Sequence, residues 1–384
     1  MLGAETLGRA LRGVIMTSGI FSQTIIVGVG LLGGALGLAS KRAGVGGRII
    51  GLGRNESKLT RAVDLGAIDV WATSWTDALG LATSTDAPTL IVFCAPVEAN
   101  LRALDEFWTL RAAQEFAGRD YLISDVGSVK TGFAEATSRL RASCDLAGNT
   151  RIAFVPAHPI AGSDKSGVEH STSTLFDGKL TILTPWSSPN ERRAALASGG
   201  ARAFRIPEDV ESDPAFQTIR RKFALAFAED ERLARDDSTH GALSITDKIS
   251  VTLEDSDFPA VSLMREFWRR LGSFVVETSA AEHDHILART SHLPNLASVL
   301  TMSAVPMDEF IFAGTGFRDV TRLSGGNPEV WTEIFETNRV ALLDALERVE
   351  SDLLRWKTFL SEGDREAILT FLKETKKKRD ALGS

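Results

Sequence analysis

The first clear pattern in the chain is Gln23–Val29 (QTIIVGV), a short apolar, β-branched run that enters a glycine-rich turn. Its length and flanks predict a buried strand. Leu31–Ala43 follows with helical spacing, and Arg48–Leu52 predicts a second strand, with a helix over Glu56–Leu65. Thr89–Cys94 (TLIVFC) is a third strand, followed by a helical stretch over Val97–Phe116. Tyr121–Val126 is another strand, with a helix from about Ser128 to Leu140. Ile152–Pro156 and Leu180–Thr184 predict two more strands. Strands alternating with helices imply βαβ units and a doubly wound, mostly parallel sheet. Residues 21–185 therefore read as one α/β domain.

Beyond Pro185 the texture changes. Asn190–Arg235 is rich in Ala, Arg and acidic side chains with weak helical periodicity, and residues 186–255 read as an insertion or linker. From Phe258 onward the pattern is almost wholly helical, most clearly over Pro328–Phe359 and Asp364–Lys378, so residues 256–384 predict a second, all-α domain. The lysine-rich end suits a solvated helix C-terminus. Residues 1–20 have no solid apolar core and read as a loose tail, or as preceding a true start at Met16, rather than as a signal peptide.

Composition narrows the setting. A net charge of −7 argues against a nucleic-acid binder. Two cysteines, Cys94 and Cys144, cannot build a disulfide framework, which points to a reducing, cytoplasmic setting. No run approaches the roughly 18 apolar residues of a membrane span.

Gly28-Val29-Gly30-Leu31-Leu32-Gly33 is GxGxxG between a predicted strand and helix. The first glycine permits a tight turn, the second lets backbone approach a pyrophosphate, and the third allows close helix–strand packing. Gly28, Gly30, Leu31, Leu32 and Gly33 are thus cofactor-binding candidates. The ribose position falls about 20 residues on, at Gly53-Arg54-Asn55, where no carboxylate stands. Arg54 can pair with a 2′-phosphate instead, which favours NADP. The alternative is NAD held by backbone groups, with Arg54 facing solvent. Cys94, Ala95, Pro96 and Asp125 lie at strand ends, where ligands of such sheets sit. Cys94 has no neighbouring base in sequence and reads as packing beside the cofactor.

Four further stretches hold candidate chemistry. Ser124-Asp125-Val126-Gly127-Ser128-Val129-Lys130 ends a strand; Ser128 is either a helix N-cap or a hydroxyl offered to a ligand, and Lys130 reads as a surface helix residue. Pro156-Ala157-His158-Pro159 suggests a rigid loop. His158, one of only six histidines, is an acid–base candidate there. Glu282-His283-Asp284-His285 precedes Ser291-His292-Leu293-Pro294-Asn295. The spacing matches no standard zinc pattern, so no metal is expected, and His283 and His285 read as solvated or capping. In Gly316-Phe317-Arg318-Asp319-Val320-Thr321-Arg322, Arg318 either clamps a carboxylate or pairs with Asp319.

Together GVGLLGG, DVGSVK, HPIAGSDKSGVE, EHDHILARTSHLPN, GFRDVTR and NPEVWTEIFETN, in this order, resemble the prephenate/arogenate dehydrogenase (TyrA) family of tyrosine biosynthesis. The resemblance implies a Rossmann domain followed by an all-α dimerisation domain of the 6-phosphogluconate-dehydrogenase-like kind, assembled as a homodimer. It implies oxidative decarboxylation of prephenate or arogenate, with hydride transfer to NAD(P). His158 would bond the ring hydroxyl, Ser128 would assist, and Arg318 would hold a carboxylate. Ser163, Asp164, His292 and Arg322 would line the substrate site. Three departures stand out: Asn295 replaces the second histidine of SHLPH, Asp164 stands where glutamate is frequent, and the segment after Pro185 is long. Another hydroxy-acid dehydrogenase and a non-catalytic dinucleotide-binding protein are the rival readings.

Overall fold

The computed structural model describes residues 20–82, 88–112, 120–146, 152–163, 165–186 and 259–382. The expected tail over residues 1–20 lies almost wholly outside them, as does the segment 186–255. Strands and helices alternate as predicted: β1 (Gln23–Val27), α1 (Leu31–Ala43), β2 (Arg48–Leu52), α2 (Glu56–Asp64), β3 (Val70–Ala72), α3 (Trp75–Leu81), β4 (Thr89–Phe93), α4 (Val97–Ala112), β5 (Tyr121–Asp125), α5 (Thr131–Leu146) and β6 (Ile152–Phe154). β3 and α3 are too short for sequence periodicity to reveal.

These strands form one six-stranded sheet, all parallel, in the order β3-β2-β1-β4-β5-β6. The order reverses between β1 and β4, which is where a doubly wound sheet opens its ligand crevice. The apolar runs show no polar alternation because both faces are covered. Ile26, Ile49, Leu90, Val92 and Leu122 pack on one side with Leu36 of α1. Ile25, Ile50, Ile91, Phe93 and Ile123 pack on the other with Trp75, Phe107 and Phe133.

A second sheet follows. β7 (Ala157–Pro159) pairs antiparallel with β8 (Leu180–Trp186). After α6 (Pro259–Arg270), β9 (Phe274–Ser279) pairs parallel with β8. Two expectations are corrected here. His158 lies in a strand, not in a loop: the prolines close a segment only three residues long, and the pairing of Ala157 with Leu183 lies far off in sequence. The stretch beyond Phe258 is not wholly helical, because Phe274–Ser279 completes this sheet. Trp268 and Phe267 of α6 join the first face of the large core, Trp268 edge-on to Phe176 at 5.2 Å.

The remaining elements include α7 (Ala280–Leu287), a π turn (Ala288–His292), α8 (Leu293–Ser303), α9 (Thr315–Thr321), α10 (Pro328–Thr337), α11 (Arg339–Glu362) and α12 (Arg365–Leu382). The predicted long helix over Pro328–Phe359 is broken at Asn338, whose side chain is committed elsewhere. Among the described residues, Ile20–Trp186, Pro259–Asp284 and Glu329–Thr337 make up one compact unit. His285–Pro328 and Asn338–Leu382 make up a second, helical one. α10 belongs to the first, where Glu333 accepts the Glu98 N–H at the start of α4 at 2.7 Å.

Candidate active site

The glycine turn leaves β1 at the sheet's carboxyl edge. Gly28 has φ +90, and a Cβ there would stand 2.9 Å from the Cβ and N of Ala95. A Cβ on Gly33 would stand 2.3 Å from the Gly28 carbonyl oxygen. Both positions therefore require glycine. Gly30 differs: a Cβ there meets nothing within 4 Å. The backbone at Gly30 faces open space, and α1 begins at Leu31 with no side-chain cap and no acidic residue in its first turn. Free N–H groups and the positive end of a helix suit a phosphate, so these residues fit a dinucleotide. Leu32 is packed against the core from this turn.

Neighbouring strand ends complete the edge. The Cys94 N–H donates to the Val27 carbonyl at 2.7 Å, tying β4 to β1. Asn100 then grips Ala95 from both sides, accepting its N–H at 3.0 Å and donating to its carbonyl at 2.8 Å. No local sequence pattern marks Asn100. Burial pushes the Cys94 thiol far up, so it stays protonated, as suits packing. At the end of β2, Arg54 is exposed, while Asn55 caps α2 by accepting the Lys58 N–H at 3.0 Å.

At the end of β5 the side chains depart from expectation. Lys130 is fully buried, not on the surface. Its ammonium bonds Asp125 and the Ala157 carbonyl, the latter at 2.7 Å. Burial disfavours both charges, pushing the Asp125 carboxyl up and the Lys130 ammonium down against their mutual attraction. Ser128 sits half-buried in the loop and is not the cap of α5, which starts three residues later at Thr131.

The start of α5 is capped from a distance. Asp284 accepts the N–H of Lys130 and of Thr131, each at 2.8 Å, and the Thr131 hydroxyl at 2.5 Å. Its Oδ1 also accepts Nδ1–H of His283 at 2.7 Å. Nε2 of His283 lies 2.8 Å from Nδ1 of His158. His283 is completely buried, contrary to its expected solvated role, and burial holds its pKa below the ordinary value of 6.5. Burial alone would raise Asp284; the bonds from His283, Thr131 and Lys130 outweigh it and hold the carboxyl below its usual range. A signal was present: His283 and Asp284 share the inward helical face with Ala280 and Leu287, at i, i+3, i+4 and i+7.

In the helical unit, Arg318 and Arg322 are exposed, and neither forms an ion pair among the described residues, so the Arg318–Asp319 pair does not form. His292 is buried, its Nδ1 accepting from Nδ2 of Asn338 at 3.0 Å. Asn295 is also buried and donates to the Leu323 carbonyl at 2.9 Å. Ser163 is exposed, its hydroxyl accepting the Lys165 N–H at 3.2 Å; Asp164 lies outside the described residues. Among the described residues no cluster of three or more His, Cys, Asp or Glu is arranged to hold a metal ion.

A parallel sheet of this order, with an open glycine turn at its reversal point, defines a nucleotide-binding α/β protein. Residues 36–198 match the prephenate dehydrogenase nucleotide-binding domain and residues 279–374 the prephenate dehydrogenase dimerization domain. The chain belongs to the prephenate dehydrogenase family, a family of NAD-dependent oxidoreductases. It is 26% identical to a prephenate dehydrogenase of Bacillus subtilis, over 93% of this chain and 75% of that protein. To a cyclohexadienyl dehydrogenase of Zymomonas mobilis it is 24% identical, over 94% and 97%. Its fold is that of the A. aeolicus prephenate dehydrogenase crystallised with hydroxyphenyl propionate and NAD+. That likeness has a TM-score of 0.64 at 24% identity, covering 94% of this chain and 97% of the other.

Proposed function

We propose that this protein catalyses the oxidative decarboxylation of prephenate or arogenate, and that residues 21–185 bind the cofactor while residues 256–384 contribute to substrate binding and dimerisation. A nicotinamide dinucleotide, when bound, supplies the hydride acceptor. Gly28, Gly30, Leu31, Leu32 and Gly33 hold its pyrophosphate, and Cys94, Ala95, Pro96 and Asp125 line its remaining length. Arg54 meets a ribose 2′-phosphate, which favours NADP over NAD.

His158 accepts a hydrogen bond from the ring hydroxyl, and Ser128 assists at the same oxygen. As hydride leaves the carbinol carbon, that carbon gains positive character, and a nitrogen lone pair at the hydroxyl stabilises it. Loss of CO2 then makes the ring aromatic. Arg318 holds a substrate carboxylate, with Ser163, Asp164, His292 and Arg322 around the substrate. The protein's work is chiefly positioning, because aromatisation itself is strongly downhill. It acts as a homodimer in the cytoplasm; no helix among the described residues is long and apolar enough to cross a membrane.

The observation that carries this reading is the hydrogen-bonded pair His158–His283 beside Lys130 and Asp125, at the carboxyl edge that also bears the open Gly30 turn. The test is a two-by-two assay of prephenate or arogenate with NAD or NADP, following reduced cofactor at 340 nm (roughly the nicotinamide absorption band). Turnover of at least one ring substrate is expected, faster with NADP. Turnover of aliphatic hydroxy acids alone, or cofactor binding without turnover, defeats the reading.

A further inference from the structure

His158 can accept the substrate's hydrogen bond only if its outward nitrogen bears a lone pair. Neutral histidine has two tautomers, and which one is present is set by the partner of the other nitrogen. Here that partner is His283 Nε2, at 2.8 Å. His283 is itself oriented, because its Nδ1 faces the Asp284 carboxylate at 2.7 Å and must donate to it. Asp284 is held by further donors at the positive end of α5: the Lys130 N–H, the Thr131 N–H and the Thr131 hydroxyl. The chain of donors thus runs one way, from His158 through His283 to Asp284.

We propose, on the basis of the dehydrogenase reading above, that His283 and Asp284 are positioning residues that fix His158 with its proton on Nδ1. Nε2 of His158 is then left as the lone pair that meets the substrate's ring hydroxyl. The groups facing His283 are Asp284 on its own helix, His158 from β7, and Lys130 and Asp125 from the end of β5 and the loop beyond it. Burial and Lys130 keep His283 neutral, so its Nε2 remains an acceptor. A proton added to the histidine pair would occupy His158 Nε2, whichever ring carries the charge, and remove the outward lone pair. Activity should therefore fall on the acid side in a step that belongs to the pair.

The test compares wild type with His283→Phe, which keeps a ring but no nitrogen, and His283→Gln, whose carbonyl can again accept from His158. For His283→Phe, kcat should fall on the order of tenfold to a hundredfold, as for loss of a residue that orients a functional histidine. KM should change little, and the acid limb of the pH profile should move. His283→Gln should recover part of kcat. A kcat and acid limb equal to wild type in His283→Phe, with His158→Asn inactive, would overturn the proposal. The ring 15N shifts of labelled wild-type protein give a readout independent of folding in the variants and of the assigned substrate. A proton on His158 Nδ1 supports the relay, and one on Nε2 overturns it. If the wild type turns over neither ring substrate, the dehydrogenase reading fails while this spectrum still decides the relay.

Discussion

The two units of the molecule are stabilised differently. The first has a parallel sheet covered on both faces, with two extensive clusters of fully buried aliphatic and aromatic side chains. The second gathers Ala288, Ala341 and Ala345 around Leu293 as its buried cluster. It leaves Met307, Ile311 and Phe312 more than four-fifths exposed, and Leu343 and Leu354 more than half exposed. An apolar surface of this kind marks an interaction site, and the family match over it is to a dimerization domain. The first unit buries its apolar side chains in two extensive clusters; the second buries few and exposes many. Among the described residues, buried ion pairs follow the same division. The first unit encloses Lys130–Asp125 and Arg265–Glu277, whose Nε–Oε1 distance is 2.9 Å, whereas the arginines at issue in the second are solvent-facing.

The largest expected effect tests the first half of that contrast. Trp268 is fully buried among Phe267 and Phe176. Trp268→Ala should cost about 3–5 kcal/mol of stability through lost burial and a residual cavity, read by denaturant unfolding. A cost below about 1 kcal/mol would mean that this side of the sheet is not the rigid core described. The second half is tested by Leu343→Asp with Leu354→Asp, which lie about three turns apart on one face of α11. Sedimentation should show the wild type as a dimer and the double variant as a monomer. A double variant that stays dimeric at micromolar concentration would place the partner surface elsewhere on the helical unit.

The same division explains what could be read from the chain. The glycine turn was legible because its signal is local: Gly28, Gly30 and Gly33 act within six residues, on backbone conformation. The parallel strands were legible because burial on both faces makes continuous apolar runs. The position of His158 in a strand was not, because β7 exists only through pairing with β8. Lys130 read as surface because lysine usually is; its burial depends on Asp125 and on the carbonyl of Ala157, 27 positions on. The partnership of His158 with His283 spans 125 positions, and no local pattern encodes such a contact. Asn338 broke a helix that periodicity continued, because its amide serves His292.

A smaller effect is expected at Arg318, exposed and without an ion pair among the described residues. In the proposed role it gives a charge-assisted bond to a carboxylate, worth about 1.5–3 kcal/mol. Arg318→Ala should thus raise the substrate KM by about tenfold to a hundredfold, with the affinity for cofactor unchanged in a fluorescence titration. An unaltered KM would reduce Arg318 to a surface residue and leave His292 and Arg322 to carry the second unit's part in recognition.

The smallest effect concerns Arg54, at the exposed end of β2. A carboxylate at this place would accept from a ribose hydroxyl and repel a phosphate; an arginine reverses both preferences. The side chain is solvated, so the gain is that of an exposed ion pair, about 1 kcal/mol. Arg54→Ala should raise KM for NADP about fivefold and leave KM for NAD unchanged, and added salt should weaken the wild-type preference in the same direction. Equal loss with both cofactors would show that Arg54 shapes the turn before α2, which Asn55 already caps. No change with either would leave the pyrophosphate turn at Gly28–Gly33 as the main determinant of cofactor binding in the first unit.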